Sequence, residues 1–322
     1  MARHPPSLEQ VVILALALAL DRAFGEPPAA WHPVVWIGRL IHCLETHAPR
    51  AGPAAQLAYG AWMTGTTVGI CWLTGMAMER ALLRLPPWLR VPLAAWALKT
   101  LFSVRMLDEA AGAVEQALRR GDVATARDRL LALVSRDRST LGPAQCASAA
   151  IESVAENLVD SCAAPALSYA LFGLPGAAAY RAINTLDAMI GYRGRYEYVG
   201  KVAARLDDLA NLLPSRLSAA ALAAGAALAG GDWRGAVRLA VCEAGRTASP
   251  NAGWPMAAMA GALGVCLEKP AHYRLGDRYR EPEAADIARA RALLHPAAAL
   301  CFLIAGVLVP VRRALQCSSR HG

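Results

Sequence analysis

Between 151 and 160 the chain reads IESVAENLVD. On a helix Glu152, Glu156 and Asp160 then fall four residues apart on one face, with Asn157 beside them. Three carboxylates stacked in this way repel one another unless a cation or basic partner sits on them. The functional reading is a divalent metal held by oxygen ligands, and Mg²⁺ commonly brings a nucleotide phosphate with it; the bland reading is a solvated acidic face. A second cluster, ARLDDLANLLPSR over 204–216, sets Asp207 and Asn211 four apart with Asp208 adjoining and Arg205 and Arg216 flanking. Acid and base within one turn suit a metal-bridged phosphate, or a helix tidied by its own ion pairs. The run NTLDAMIGY over 184–192 adds Asn184 and Asp187, and Arg193, Arg195 and Lys201 follow as clamps for phosphate or carboxylate.

Two further stretches hold polar groups in unusual backbone. In GEPPAAWHPVVWIG, over 25–38, Pro27, Pro28 and Pro33 forbid regular helix and hold Glu26 and His32 in a defined turn. His32 is placed to act as a general base or to contact substrate, or else to pack at an interface beside Trp31 and Trp36. The run SPNAGWPMAAMAGALG, over 249–264, is apolar yet studded with Pro250, Asn251 and Pro255. It reads as a broken or re-entrant segment, because exposed non-helical backbone is tolerated at membrane depth only against protein or a cavity.

The elements that must position these groups are helical. Apolar residues make up 56% of the 322-residue chain and mean hydropathy is positive, which favours a membrane protein over a soluble one. Crossing a bilayer takes about 20 apolar residues, and 51–78, 161–180 and 292–311 meet that length. Three stretches are weaker: 86–107 carries Arg90 and Lys99, 217–231 is short, and 11–20 covers about half a span. The last resembles a secretion-signal core, but Asp21, Arg22 and Glu26 stand where a cleavage site belongs, so it stays on the mature chain. Amphipathic helices are expected over 103–120 and 123–134, with Gly121 ending one and Asp122 capping the next, and Gly231 and Asp232 repeat the device. Strand alternation is missing. The fold class is therefore all-α: one integral membrane domain over 1–322, with about four to six spanning helices and amphipathic cytoplasmic helices.

The net charge of +8 is spread along the loops and interleaved with acids, which argues against nucleic acid as partner. Arg312, Arg313 and Arg320 after the last apolar stretch put the C-terminus, and with it the active face, on the cytoplasmic side of the cell (inner) membrane. The eight cysteines show neither CxxC nor zinc spacing and read as small core residues.

Taken in order, the 25–38 turn, 135–160, 184–192, 204–216 and 249–264 resemble the cobinamide synthase family, CobD or CbiB, also called adenosylcobinamide-phosphate synthase. The chain has Glu26 where the family usually has Asp, Ser135-Arg136-Asp137-Arg138 where it has Gly-Arg-Asp-Thr, Ser161 where it has Gly, and Lys201 where Trp is frequent. The resemblance implies ATP-dependent amide synthesis in cobalamin biosynthesis. (R)-1-amino-2-propanol or its O-phosphate would be joined to a propionate carboxylate of adenosylcobyric acid, in the bilayer and alongside other corrinoid-pathway enzymes. Activating a carboxylate with ATP needs Mg²⁺ to bridge phosphate oxygens and basic groups to hold the moving charge. On that reading Glu152, Glu156, Asp187 and His32 serve the chemistry, and Arg193, Arg205, Arg216, Asn184 and Asn251 bind substrate or phosphate. Asp160, Asp207, Asp208 and Asn211 hold the metal.

Two other classes compete. Asp207, Asp208 and Asn211 make a DDxxN pattern like that of intramembrane prenyltransferases, but the spacing of Glu152, Glu156 and Asp160 is wrong for a second such cluster. A transporter or corrinoid-pathway scaffold would carry charges within its spans, and apart from Arg90 and Lys99 these stretches lack them. No P-loop or Gly-rich dinucleotide turn is present to hold a nucleotide.

Overall fold

A computed structural model describes residues 7–49, 52–134 and 138–318. Ser135, Arg136, Asp137 and Arg320, which entered the sequence reading, lie outside them. In chain order the helices are α1 Ser7–Phe24, α2 Pro33–Thr46, α3 Pro53–Leu82, α4 Pro87–Lys99, α5 Arg105–Arg119, α6 Val123–Arg129 and α7 Pro143–Leu158. A π turn, Val159–Ala163, leads into α8 Ala164–Ile190; then come α9 Lys201–Ala210, α10 Leu212–Leu228, α11 Trp233–Glu243 and α12 Gly253–Leu263. Strands β1 Leu267–Lys269 and β2 Tyr273–Leu275 precede α13 Ala284–Ser318. Proline opens α2, α3, α4 and α7, where its fixed φ fits and its missing N–H would have no helical partner. The predicted caps form: Gly121 turns at φ 74° and the Asp122 carboxylate accepts from Thr125 N at 2.9 Å. In the second copy Gly230, not Gly231, takes the positive φ, and Asp232 caps Gly235 N at 2.7 Å.

The described chain divides into two compact units. The first is assembled from described residues within Met1–Ser103, Ala164–Ala210 and Phe302–Gly322. Here α3 lies along α8, α1 packs on α4, and α2 and α9 flank α8. Ile37, Ile41, Met63, Leu186, Ile190 and Val199 form its apolar core. Close approach is made by glycine: a Cβ on Gly60 would stand 2.0 Å from the Val199 carbonyl oxygen, and one on Gly75 2.8 Å from Pro175 Cα. The stretch 161–180 was expected as an unbroken span, and the structure corrects this. Gly173 adopts φ 74° and ψ −160°, just ahead of Pro175, and interrupts α8 because a proline there can neither donate to the preceding turn nor clear its carbonyl.

The second unit takes Val104–Ala163 and Asn211–Cys301. Its α11 and α12 pack most intimately, at a site where a Cβ on Gly261 would fall 2.2 Å from the Gly235 carbonyl oxygen. The run 249–264 is a turn followed by the regular, buried helix α12, which ends where Gly264 turns to φ 67°. The broken element expected there is thus a helix covered by protein. Arg291 of α13 clamps α5, reaching Asp108 at 2.9 and 3.0 Å and Glu115 at 2.8 Å over the bare surface of Gly112. The β1–β2 hairpin pairs Leu267 with Leu275, both fully buried. Strands of three residues are too short for alternation to reveal them.

Among the described residues two helical runs, Pro143–Ile190 and Ala284–Pro310, contain windows long and apolar enough to cross a bilayer. The first window is 78% buried inside the protein and the second 50%, so only the second leaves much apolar surface for lipid. Of the described cysteines, Cys71, Cys146, Cys162, Cys266 and Cys301 are buried as expected, while Cys43 and Cys242 are exposed.

Candidate functional site

In the second unit α10 starts immediately after Asn211, which is buried. Ser215, one turn on, bonds back to the Asn211 carbonyl at 2.7 Å. The 249–251 turn presents Asn251 to the same place, its backbone fixed by Asn251 N and Ala252 N donating to Ser249 Oγ at 3.2 Å each. Arg216 Nη1 then donates to Asn251 Oδ1 at 2.6 Å, to Ser215 Oγ at 2.9 Å and to the Leu212 carbonyl at 3.0 Å. The guanidinium carbon lies 4.9 Å from the centre of the Trp254 ring. One nitrogen of Arg216 is therefore fully committed, and the ring face fixes the guanidinium plane. Its Nε and Nη2 have no acceptor among the described residues and are available to an anion. Three predicted residues, Asn211, Arg216 and Asn251, thus come together; Ser215 and Trp254 complete the group and were missed, since neither residue type stands out in sequence.

Glu152 has a different setting. It is 5% exposed and accepts from Ser148 Oγ at 2.6 Å and Tyr273 OH at 2.8 Å. Ser148 Oγ in turn accepts from Glu268 N at 2.7 Å. This carboxylate ties α7 to the hairpin. Glu156, one turn on, is exposed, and Asp160 is half-buried inside the π turn. A π turn adds a residue to the helical repeat, so the single acidic stripe expected from strict four-residue spacing is offset at Asp160.

In the first unit Asp187 packs its carboxylate over Gly191, where a Cβ would lie 2.1 Å from Oδ1. Gly200 meets the Ile190 carbonyl more closely still, a Cβ there standing 1.7 Å from its oxygen, which folds the 191–200 turn tightly against the end of α8. Arg193 and Arg195 are exposed on this turn, and Arg195 and Tyr196 both donate to Glu45, at 3.0 and 2.7 Å. Asn184 is gripped by Arg181, a buried residue the sequence reading passed over, with Nη1 at 3.1 Å from Asn184 Oδ1 and Nε at 2.8 Å from the Leu101 carbonyl. On α9 Asp207 and Asp208 are half-buried and Lys201 is exposed. Arg205, 76% exposed, pairs with Asp208 at 3.3 Å.

The 25–33 turn builds a third polar group. His32 caps α2, its Nδ1 accepting from Val34 N at 3.2 Å. That bond puts the ring proton on Nε2, which donates to Glu26 Oε2 at 2.7 Å. Burial by itself would raise the Glu26 carboxyl. The His32 hydrogen bond, the neighbouring Ser103 hydroxyl and the Lys99 ammonium together take it below its ordinary value.

Among the described residues no three His, Cys, Asp or Glu side chains are grouped to hold a metal ion. A closed structural metal centre needs such a set. A Mg²⁺ ion that takes one or two carboxylates and completes its shell with phosphate oxygens and water does not; Asp207 and Asp208 are adjacent on α9, where neighbouring side chains diverge, and Asp208 is paired with Arg205.

The architecture defines a helical protein with candidate membrane helices. Residues 14–296 match the family described as CobD/Cbib protein, and the chain belongs to that family. It is 40% identical over 297 residues to the "Cobalamin biosynthesis protein CobD" of Dehalococcoides mccartyi, covering 92% of this chain and 96% of that one. It is 39% identical to the "Probable cobalamin biosynthesis protein CobD" of Methanothermobacter thermautotrophicus, covering 84% and 88%. With the "Cobalamin biosynthesis protein CbiB" of Salmonella typhimurium it shares 38% identity over 92% and 97% of the two chains. No solved structure matches.

Proposed function

We propose that this protein is a cobalamin-biosynthesis enzyme, an ATP-dependent ligase. It joins (R)-1-amino-2-propanol or its O-phosphate, through the amine, to a propionate carboxylate of adenosylcobyric acid. The observation that carries the pathway is family membership over 14–296, with relatives named for cobalamin biosynthesis across nearly their whole length. The chemistry draws its support from Arg216, which is held on one nitrogen, stacked on Trp254 and open on its other edge. Such a planar fork matches a carboxylate or phosphate.

In this reading Arg216 orients the anionic group, with Asn211, Ser215 and Asn251 fixing its geometry. Asp207 and Asp208 would hold Mg²⁺, which would supply charge neutralisation to the ATP phosphates. Arg193 and Arg205, both exposed, gather phosphate charge. Asp187 and Glu156 are the groups for proton handling, because the attacking amine must be neutral; His32, read from sequence as a candidate base, has its Nδ1 lone pair committed to Val34 N and its Nε2 proton to Glu26. With Asn184, Arg181 forms a fixed pair that positions rather than reacts.

We read the chain as multi-pass in the cell membrane, with about four to six spans and a cytoplasmic C-terminus. The 30-residue α3 supports this, since Trp62, Ile70, Trp72, Leu73 and Met78 along it stay exposed. Exposed apolar surface of that kind marks contact with lipid or partner.

The test is to incubate detergent-purified protein with adenosylcobyric acid, ATP, Mg²⁺ and each amine, and to follow corrinoid mass. A gain equal to the condensed amine is expected, and Arg216→Lys should lower kcat/KM by about a hundredfold. Absence of product from folded protein with either amine would overturn the assignment.

A further inference from the structure

Helix α11 is covered by protein on one side only. Gly235, Ala236, Leu239 and Ala240 are buried there, and a Cβ on Gly235 would stand 2.9 Å from the Gly261 carbonyl oxygen of α12. The outward side carries Trp233, Val237 and Val241, which are 46%, 44% and 67% exposed, and Leu228 at the end of α10 is 76% exposed. Residues four apart share a helix face, so these three form one apolar row along α11. Beside it, one position on at each step, runs a second row of Arg234, Arg238 and Cys242, all exposed.

The charge of the second row is not answered within the described protein. Arg234 has no hydrogen-bond or ion-pair partner among the described residues, and its guanidinium carbon lies 5.4 Å from the centre of the Trp233 ring. Arg238 donates at 3.1 Å to the Tyr279 hydroxyl, a neutral acceptor. The acids nearest in sequence are occupied elsewhere. Asp232 caps the helix at Gly235 N, while Glu243 accepts from Gly276 N at 2.7 Å and pairs with Arg246 at 3.3 Å. An apolar strip and an uncompensated positive strip therefore lie side by side on one exposed face. A bilayer surface answers both at once: the apolar row enters the acyl boundary, tryptophan is favoured at that depth, and arginines at the edge reach the phosphates. Anionic headgroups complement the charge, with a gain of about fivefold in affinity per arginine.

We propose that α11 lies in the bilayer surface and binds anionic phospholipid, with Trp233, Val237 and Val241 at the acyl boundary and Arg234 and Arg238 on the phosphates. This rests on the membrane reading given above and goes beyond it by giving the second unit a lipid contact of its own.

The experiment uses the full-length protein in nanodiscs of phosphatidylcholine alone or mixed with phosphatidylglycerol, with Cys43, Cys242 and Cys317 changed to serine; the other cysteines are buried. A nitroxide is attached to a single new cysteine, by Val241→Cys on α11, Leu73→Cys on the exposed face of α3, or Glu109→Cys on the exposed face of α5. Its collisions with lipid-soluble oxygen and with a water-soluble nickel chelate are read by electron paramagnetic resonance. In anionic discs the label at 241 is expected to favour oxygen, with nickel contact severalfold below that at 109. Omitting the anionic lipid, or combining Arg234→Gln with Arg238→Gln, should raise nickel contact at 241 severalfold and leave 73 unchanged. Nickel contact at 241 equal to that at 109 in anionic discs would overturn the proposal. So would a label indifferent to lipid charge and to the arginines, or one shielded from both reagents, which would mean that protein covers the strip. Position 73 separates the two readings: 73 in lipid with 241 in water removes the α11 site and keeps the membrane assignment, and both in water removes the assignment too. A label in lipid at 241 but in water at 73 keeps the α11 site and overturns the spanning of α3.

Discussion

Glu152 and Arg216 were both singled out as charged residues, and their surroundings separate them. Glu152 is buried with hydroxyl donors from Ser148 and Tyr273, so its negative charge is already used in fastening the hairpin to α7. Glu152→Gln is expected to lower stability by about 1–3 kcal/mol, and Tyr273→Phe by less, because it removes one donor and leaves Ser148 in place. The double variant should lose less than the sum, as two members of one bond do; thermal or denaturant unfolding of the four proteins measures this. Additive losses would sink the fastening role. Arg216 differs in having only one of its nitrogens committed, which leaves it free to respond to a ligand.

At the scale of elements, α8 is governed by one break. Gly173 takes a positive φ that a side chain resists, and the Glu79 carboxylate lies where a Cβ would be, 2.6 Å from Oε1. Gly173→Ala is predicted to destabilise by about 1–3 kcal/mol from backbone strain together with that clash. Adding Glu79→Ala relieves the clash but not the strain, so no more than part of the stability should return. Full recovery in the unfolding midpoint would show that φ at Gly173 is unstrained. The break matters because α8 carries Arg181, Asn184 and Asp187 on the segment beyond it, whose direction the interruption sets.

For the whole molecule the question is which apolar surface faces lipid. Burial takes up most of the window within 143–190, whereas α3 and the later turns of α13 keep large apolar side chains outside, Leu303 and Val307 among them. The full chain is expected to sediment with membranes, to resist extraction at alkaline pH and to require detergent for release. A reporter fused to the C-terminus should be active only in the cytoplasm. Release by alkaline carbonate would refute integral insertion, and a reporter active outside would invert the topology.

Local chemistry was legible from sequence. The caps at Asp122 and Asp232 and the helix-opening prolines depend on residues within one turn, and the helical class follows from composition and period. So did the motifs that assemble around Arg216, because Asn211 and Arg216 are neighbours in the chain. Long-range pairing was not legible. Trp254 under Arg216, Tyr273 on Glu152 and Arg181 on the Leu101 carbonyl join residues 38 to 121 positions apart, and nothing in the local pattern encodes such meetings. The same holds for Lys99: in sequence it is a stray charge in an apolar stretch, and only folding brings it beside Glu26 and Ser103, because burial and the partners that answer it are properties of the packed chain alone.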